Sequence, residues 1–103
     1  MIHGGDFTYT LPEPYGVIAV ITTWNVPLLS VAMKNGPALA AGNTVVIKPS
    51  ELTPLSSLVV AKLVEQAGIP KGVVNVLAGY GHTIGQAALS QREVKKVVFV
   101  GSP

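Results

Sequence analysis

Four short runs of mainly apolar residues stand out along the chain, and longer segments with helical spacing lie between them. The runs are residues 16–22, 44–48, 73–78 and 96–100. A half-exposed strand alternates apolar and polar residues, whereas an uninterrupted apolar run is typical of a parallel strand covered on both faces. The clearest run is Thr44 to Lys48, which stops at a lysine and is followed by Glu51.

The segments between the runs predict helices. Pro27 suits a first helical turn and predicts a helix over residues 27–41, closed by Gly42 and Asn43, with a kink or tight packing at Pro37. A short helix is predicted over residues 83–89. Because strands and helices alternate, the expected fold is α/β, an open parallel sheet of about four strands with crossover helices.

The helix after the second strand has the clearest boundaries. Thr53 is predicted as its N-cap and Pro54 as its first residue, with Gly68 just past its end. Five apolar side chains fall on one stripe of this helix, namely Leu55, Leu58, Val59, Leu63 and Ala67. Residues 1–14 are rich in Gly and Pro and predict an extended arm, whereas residues 15–103 form the domain.

Composition changes this picture in one respect. The chain of 103 residues is 49% hydrophobic and only 12% charged, and its charge content is about half that of an average domain. The chain has too few charged residues to cover its surface. We therefore expect it to be a piece of a larger protein, in which its apolar faces meet other segments. The net charge of +2, with no basic cluster, argues against nucleic acid and membrane surfaces as partners.

Several other function classes are not indicated. No apolar run approaches the roughly 20 residues that span a bilayer, and the first residues show no secretory signal, so a cytoplasmic location is expected. The chain has no cysteine, which excludes disulfides, thiolate metal sites and a thiol nucleophile within it. His3 and His82 have no carboxylate at ligand spacing, and no metal site is assigned to them.

Ligands of open parallel sheets bind outside the carboxyl ends of the strands. The residues that follow the four runs are therefore the candidates for one rim: Trp24, Asn25, Lys48, Glu51, Gly79, Gly81, Gly101 and Ser102. Lys48 and Glu51 could bind a ribose that has a phosphate nearby. Alternatively, Lys48 is a solvated lysine and Glu51 a carboxylate that favours the dipole of the following helix. Glycines 79, 81 and 85 suit either a phosphate-binding turn or tight turns alone.

Asn25 lies in the first strand–helix connection. Its amide is suited to stabilising a developing oxyanion, and it equally suits a cap for the helix that begins near Pro27. For Trp24, a packing role is favoured over recognition.

Taken together, five blocks resemble the cofactor-binding region of the NAD(P)-dependent aldehyde dehydrogenase superfamily: residues 14–18, 24–27, 36–43, 47–54 and 72–76. The resemblance extends from about Gly5 to Ser102. It implies a Rossmann-like fold, with residues 15–103 as part of a dinucleotide-binding domain. It also implies oxidation of an aldehyde to a carboxylic acid with NAD or NADP.

Site roles follow from the same resemblance. Asn25 matches the asparagine that holds the aldehyde oxygen, and Trp24 precedes it on the nicotinamide side. Lys48 and Glu51 match the pair that contacts the adenosine ribose. Three further residues match cofactor contacts: Ser50 near a 2′-phosphate, Gly81 on the adenine side and Ser102 at the pyrophosphate.

The cysteine nucleophile and general-base glutamate of the family match no residue of this chain. We therefore expect a fragment of an oxidoreductase that lacks its catalytic half. The expected parent enzyme is a homo-oligomer that acts on a small-molecule aldehyde. The alternative is a non-catalytic nucleotide-binding or assembly module. With open sheet edges and little charge, the chain alone is expected to self-associate.

Overall fold

The computed structural model describes residues 4–101 and consists of four strands and their connecting helices. In chain order these are β1 (Val17–Ile21), α1 (Pro27–Ala40), β2 (Thr44–Lys48), α2 (Leu55–Gln66), β3 (Val74–Val76), a π-helical turn (Gly81–Gly85), α3 (Gln86–Leu89) and β4 (Val94–Phe99). The four strands form one sheet and every pairing is parallel. The predicted α/β fold is confirmed.

The strands are ordered β3-β2-β1-β4. The chain moves from β1 to β2 to β3 in one direction and then returns across the sheet to place β4 on the other side of β1. In such an order the connections diverge between β1 and β4, which is the topological switch point where open α/β sheets form a crevice. The fold thus fixes where a ligand site belongs before any side chain is considered.

One face of the sheet packs against α1 and α2. Ile18, Val20, Val45 and Ile47 are buried in this core together with Val31 and Ala38 of α1. The alternate residues of β2, Thr44 and Val46, are only half-buried. The prediction that β2 is covered on both faces is therefore correct for the face that packs against α1 and α2. It is wrong for the opposite face, which these two helices do not cover.

Several predicted boundaries differ from those observed. The last strand begins at Val94, two residues before the predicted Lys96, and its pairing with β1 shifts between Val17 and Ile18. The predicted helix over residues 83–89 is divided into the π-helical turn and α3. Helix α1 continues through Pro37. Residues 6–15 form no helix or strand and are exposed, and their status as a separate arm remains a prediction.

Helix α2 departs most from the prediction. No side chain caps its start, Pro54 occupies the cap position and the Thr53 hydroxyl has no partner in residues 4–101, so the predicted Thr53 cap is wrong. The side of α2 that packs inward consists of Ser57, Val60, Ala61 and Val64. The predicted apolar stripe lies on the other side, where Leu55 and Leu63 are 73% and 55% exposed.

An exposed leucine stripe on α2 leads us to predict self-association. Helices that are apolar all round are normally buried, and here Leu55, Leu58, Val59 and Leu63 face solvent. In sedimentation velocity, the mean sedimentation coefficient should rise with protein concentration. Replacing Leu55 and Leu63 by Gln should reduce this dependence, while a concentration-independent monomer would contradict the prediction.

Residues 4–101 contain neither a membrane-spanning helix nor a cluster of metal ligands. No helix there is both long and apolar enough to cross a membrane. No group of three His, Asp or Glu side chains in the same range is placed to hold a metal ion. His3 lies outside these residues.

Candidate functional site

A cleft of about 790 Å³ opens at the carboxyl ends of the strands, at the switch point. Its walls come from the segment after β1, the segment after β2, the start of the π-helical turn and the end of β4. Five of the predicted site residues line it together: Trp24, Asn25, Lys48, Ser50 and Glu51. Gly81 and Gly101 line it as well, whereas Ser102 lies outside the described residues. Strand topology brings together residues that are up to 80 positions apart in the sequence, from Ile21 to Gly101.

Lys48 and Glu51 form the charged part of this cleft. Lys48 is 4% exposed, and its Nζ donates to the Pro49 carbonyl oxygen (2.9 Å) and to Glu51 Oε2 (3.4 Å). The Glu51 side chain is 46% exposed. A buried ammonium held by a carbonyl and a carboxylate is not a solvated surface lysine, so the structure favours a positioned cation at the end of β2.

The Glu51 carboxyl has a pKa lowered from its usual 4.5. Its own backbone N–H makes the largest contribution, followed by the Lys48 hydrogen bond, and the charges of Lys48 and His82 act in the same direction. A lowered pKa means that the folded chain binds this proton less readily than the unfolded chain. The associated stabilisation is present above about pH 4.5 and is lost as the pH falls through the folded pKa. Glu51 is therefore an ionised acceptor throughout the neutral range.

Asn25 and Trp24 lie on the β1 side of the cleft. No side chain caps α1, and Val26 occupies the cap position, so the alternative that Asn25 caps this helix is not observed. Trp24 is 61% exposed, which makes the favoured packing role wrong within this chain. Both side chains are left available to the cleft.

The glycine turn after β3 makes a tight turn at Gly79 and lines the cleft at Gly81. A Cβ on Gly79 would collide with the Ile84 side chain, so this glycine serves a tight turn. Gly81 lines the cleft, and a Cβ there would meet no atom within 4 Å. Gly85 is buried, and a Cβ built on it would lie 3.9 Å from Lys48 Cδ. The turn thus packs beside the Lys48 side chain.

Sequence reasoning missed the contribution of α1. Leu29, Ser30, Met33 and Lys34 line the cleft from this helix, and Lys34 brings a second ammonium group to it. Their spacing of three to four residues is that of one helix face. That spacing was the available signal, but only the tertiary structure shows that this face borders the site.

An open parallel sheet with a cleft at its switch point is the arrangement in which Rossmann-like α/β proteins bind ligands. The fold and the cleft define the chain as a protein of this class. Comparison with known proteins then identifies the family: the model of the aldehyde dehydrogenase family matches residues 1–103. The chain belongs to the aldehyde dehydrogenase family.

Curated relatives agree with this assignment. The chain is 58% identical over 94 residues to mitochondrial aldehyde dehydrogenase 2 of Saccharomyces cerevisiae, covering 91% of the chain and 18% of the relative. It is 54% identical over 101 residues to aldehyde dehydrogenase 1A1 of Homo sapiens, covering 98% of the chain and 20% of the relative. The chain therefore spans about a fifth of the length of these relatives.

Solved structures show the same similarity in three dimensions. An NAD⁺ complex of aldehyde dehydrogenase from Bacillus cereus superimposes with a TM-score of 0.85 at 49% identity, over 87% of this chain and 18% of that one. A complex of PnpE with nicotinamide adenine dinucleotide gives a TM-score of 0.81 at 58% identity, over 82% and 18% of the two chains.

Proposed function

We propose that this chain forms the adenosine-binding part of an NAD(P)-dependent aldehyde dehydrogenase, an oxidoreductase that converts an aldehyde to a carboxylic acid. The observation that carries the proposal is the buried Lys48 ammonium beside the Glu51 carboxylate in a cleft at the switch point. The two similar structures with bound NAD support it.

The cleft fits the adenosine end of such a cofactor. Glu51 offers ionised oxygens that accept hydrogen bonds from the ribose hydroxyls, and Lys48 supplies donors and positive charge. Gly81 leaves the space that a Cβ would fill, so a ligand can approach the backbone closely. Ser50 adds a hydroxyl to the same wall. Ser102 is proposed as the pyrophosphate contact, next to Gly101 of the cleft.

The other end of the cleft is assigned to the substrate. We propose that the Asn25 amide donates to the aldehyde oxygen and stabilises negative charge that develops there, with Trp24 on the nicotinamide side. A bound nicotinamide supplies hydride acceptance. The 103 residues contain no cysteine, so this segment contributes binding and polarisation and the nucleophile belongs to another part of the enzyme.

Location and assembly are further proposals for the whole protein. We propose a cytoplasmic homo-oligomer that acts on a small-molecule aldehyde. The similar proteins include one named cytosolic, from Elephantulus edwardii, and one named mitochondrial, from Saccharomyces cerevisiae, so the location proposal rests on the sequence argument and not on these names.

Nucleotide binding is expected to depend on Lys48 and Glu51. In titration calorimetry of the 103-residue chain with NAD, Lys48→Ala and Glu51→Ala should each raise Kd by about 10- to 100-fold, because a hydrogen bond to a charged group contributes roughly 1.5–3 kcal/mol. Titration with NADP, under the same conditions, measures whether Lys48 and Ser50 accept the 2′-phosphate.

Lys62 and Glu65 provide a matched control. They repeat the same residue types at the same spacing on the exposed part of α2, away from the cleft. Lys62→Ala and Glu65→Ala should leave Kd unchanged. Equal weakening by all four variants would show a general charge effect and would reject the assignment of the site to Lys48 and Glu51.

A further inference from the structure

The Thr22 hydroxyl is buried beside the cleft without a hydrogen-bond partner. Thr22 directly follows β1, lines the cleft and is 4% exposed. Its Oγ1 meets no donor or acceptor in the part of the chain that the structure describes. A buried polar group without a partner costs free energy, and a ligand that supplies the partner recovers that cost.

The order of the strands places Thr22 in the middle of the proposed cofactor site. The Thr22 N–H donates to the Lys48 carbonyl oxygen (3.2 Å), so the ends of β1 and β2 lie side by side. Strand β4 lies on the other side of β1, and Gly101 after its end also lines the cleft. A ligand that extends from the Lys48 side to the end of β4 therefore crosses the end of β1, where Thr22 lies.

The start of α1 makes this part of the cleft favourable for an anion. Val26, Leu29 and Ser30, at the beginning of this helix, line the cleft. No side chain caps α1 and its first turn contains no acidic residue. The free N–H groups of the first turn and the positive end of the helix dipole are therefore available to a negatively charged ligand group. In a dinucleotide, the anionic group next to the adenosine ribose is the diphosphate.

The Thr22 hydroxyl reaches the cleft by rotation of its side chain. Oγ1 is enclosed, so rotation about χ1 is needed to turn it toward a ligand. Such a side chain has three staggered χ1 positions, and rotamer changes are common on binding. The rotation breaks no hydrogen bond of the hydroxyl, since it makes none within residues 4–101.

We propose that Thr22 is a further cofactor-binding residue, and that its hydroxyl donates a hydrogen bond to the diphosphate of the bound dinucleotide. A hydroxyl is one donor and two acceptors, and it donates well to an anionic oxygen. This inference rests on the proposed function, because it assigns Thr22 to the same cleft as Lys48 and Glu51.

The test compares a ligand that contains the diphosphate with one that does not. Kd is measured for ADP and for adenosine by NMR titration of the 103-residue chain and of its Thr22→Val and Thr22→Ser variants. Valine has the shape of threonine without the hydroxyl. Thr22→Val should raise the Kd for ADP about tenfold, the effect of losing one hydrogen bond to a charged group, and should leave the Kd for adenosine unchanged. Thr22→Ser keeps the hydroxyl and should retain most of the affinity for ADP.

Thr53→Val is the matched control. The Thr53 hydroxyl is also buried without a partner within residues 4–101, but Thr53 does not line the cleft. This variant should leave the ratio of the two Kd values unchanged. Neither valine variant should lower the urea midpoint, because neither removes a hydrogen bond within the described part of the chain.

Three results would overturn the inference about Thr22 and leave the ribose site in place. They are an unchanged ratio of the two Kd values in Thr22→Val, an equal change of that ratio in Thr53→Val, and a lowered urea midpoint in Thr22→Val, which would show that the hydroxyl has a partner within the chain. If neither ligand binds the unmodified chain, both this inference and the proposed function fail.

Discussion

Asn35→Leu is expected to stabilise the fold, whereas Asn43→Leu is expected to destabilise it. Both asparagines are buried, at 6% and 5% exposure, and the substitution is the same. The amide nitrogen and oxygen of Asn35 have no hydrogen-bond partner among residues 4–101. Asn35 also borders an apolar groove of about 220 Å³ between α1 and α2, lined by residues such as Val31, Leu39, Val60 and Val64.

Leucine removes this unsatisfied amide and adds apolar surface to the groove. Because a buried polar group without a partner costs about 1–3 kcal/mol, we expect Asn35→Leu to raise the free energy of unfolding by about that amount. Leucine also has the higher helix propensity, which acts in the same direction within α1.

Asn43 has the opposite environment. Its Oδ1 accepts from the Gly16 N–H and its Nδ2 donates to the Ala38 carbonyl oxygen, both at 3.0 Å. These bonds tie the start of β1 and the end of α1 to the connection before β2. Loss of two hydrogen bonds, at about 0.5–1.5 kcal/mol each, should lower the free energy of unfolding by roughly 1–3 kcal/mol.

Urea unfolding followed by far-UV circular dichroism measures both variants, at a protein concentration low enough to limit association. We expect the urea midpoint to rise for Asn35→Leu and to fall for Asn43→Leu. The dependence of the free energy of unfolding on urea concentration should stay unchanged in both variants. A similar loss of stability in both variants would show that Asn35 is satisfied in solution and would contradict the first prediction.

Ile47→Ala is expected to have the second large effect. Ile47 is completely buried in β2, a strand paired with both β1 and β3. Removal of a buried isoleucine side chain costs about 2–5 kcal/mol, a large part of the roughly 5–15 kcal/mol that stabilises a typical domain. Because Lys48 follows Ile47 in the same strand, the cleft of the variant should also unfold at a lower urea concentration than that of the unmodified chain.

Leu63→Ala is the control for Ile47→Ala. It deletes the same number of carbon atoms from a side chain that is 55% exposed on α2. Surface substitutions usually change stability by no more than about 0.5 kcal/mol, so the two variants should differ clearly in urea midpoint. Equal effects would mean that the helix-packed face of the sheet is not the principal core.

Patterns of local sequence predicted the elements correctly where one residue type dominates. The β-branched run at Thr44–Lys48 is observed with the predicted bounds, and Pro27 begins α1 as expected. The errors occur where packing decides. Thr53 had the residue type of a cap but Pro54 occupies the position, and Trp24 is large and aromatic yet exposed.

The apolar stripe of α2 shows why such errors arise. Leu55 and Leu63 are the larger side chains, and periodicity alone selects them as a coherent face. The helix instead turns its smaller residues inward, with Ser57 completely buried. Because α2 is apolar on both sides, the sequence does not specify which side meets the sheet.

The sequence by itself determined the succession of strands and helices along the chain and the residues at the carboxyl end of each strand, since these depend on local patterns. It also determined the family, since that depends on matching blocks of sequence. Only the tertiary structure decided that Lys48 is buried and that Lys34 borders the cleft. These facts depend on the order of the strands within the sheet and on packing between distant segments, which no local pattern encodes.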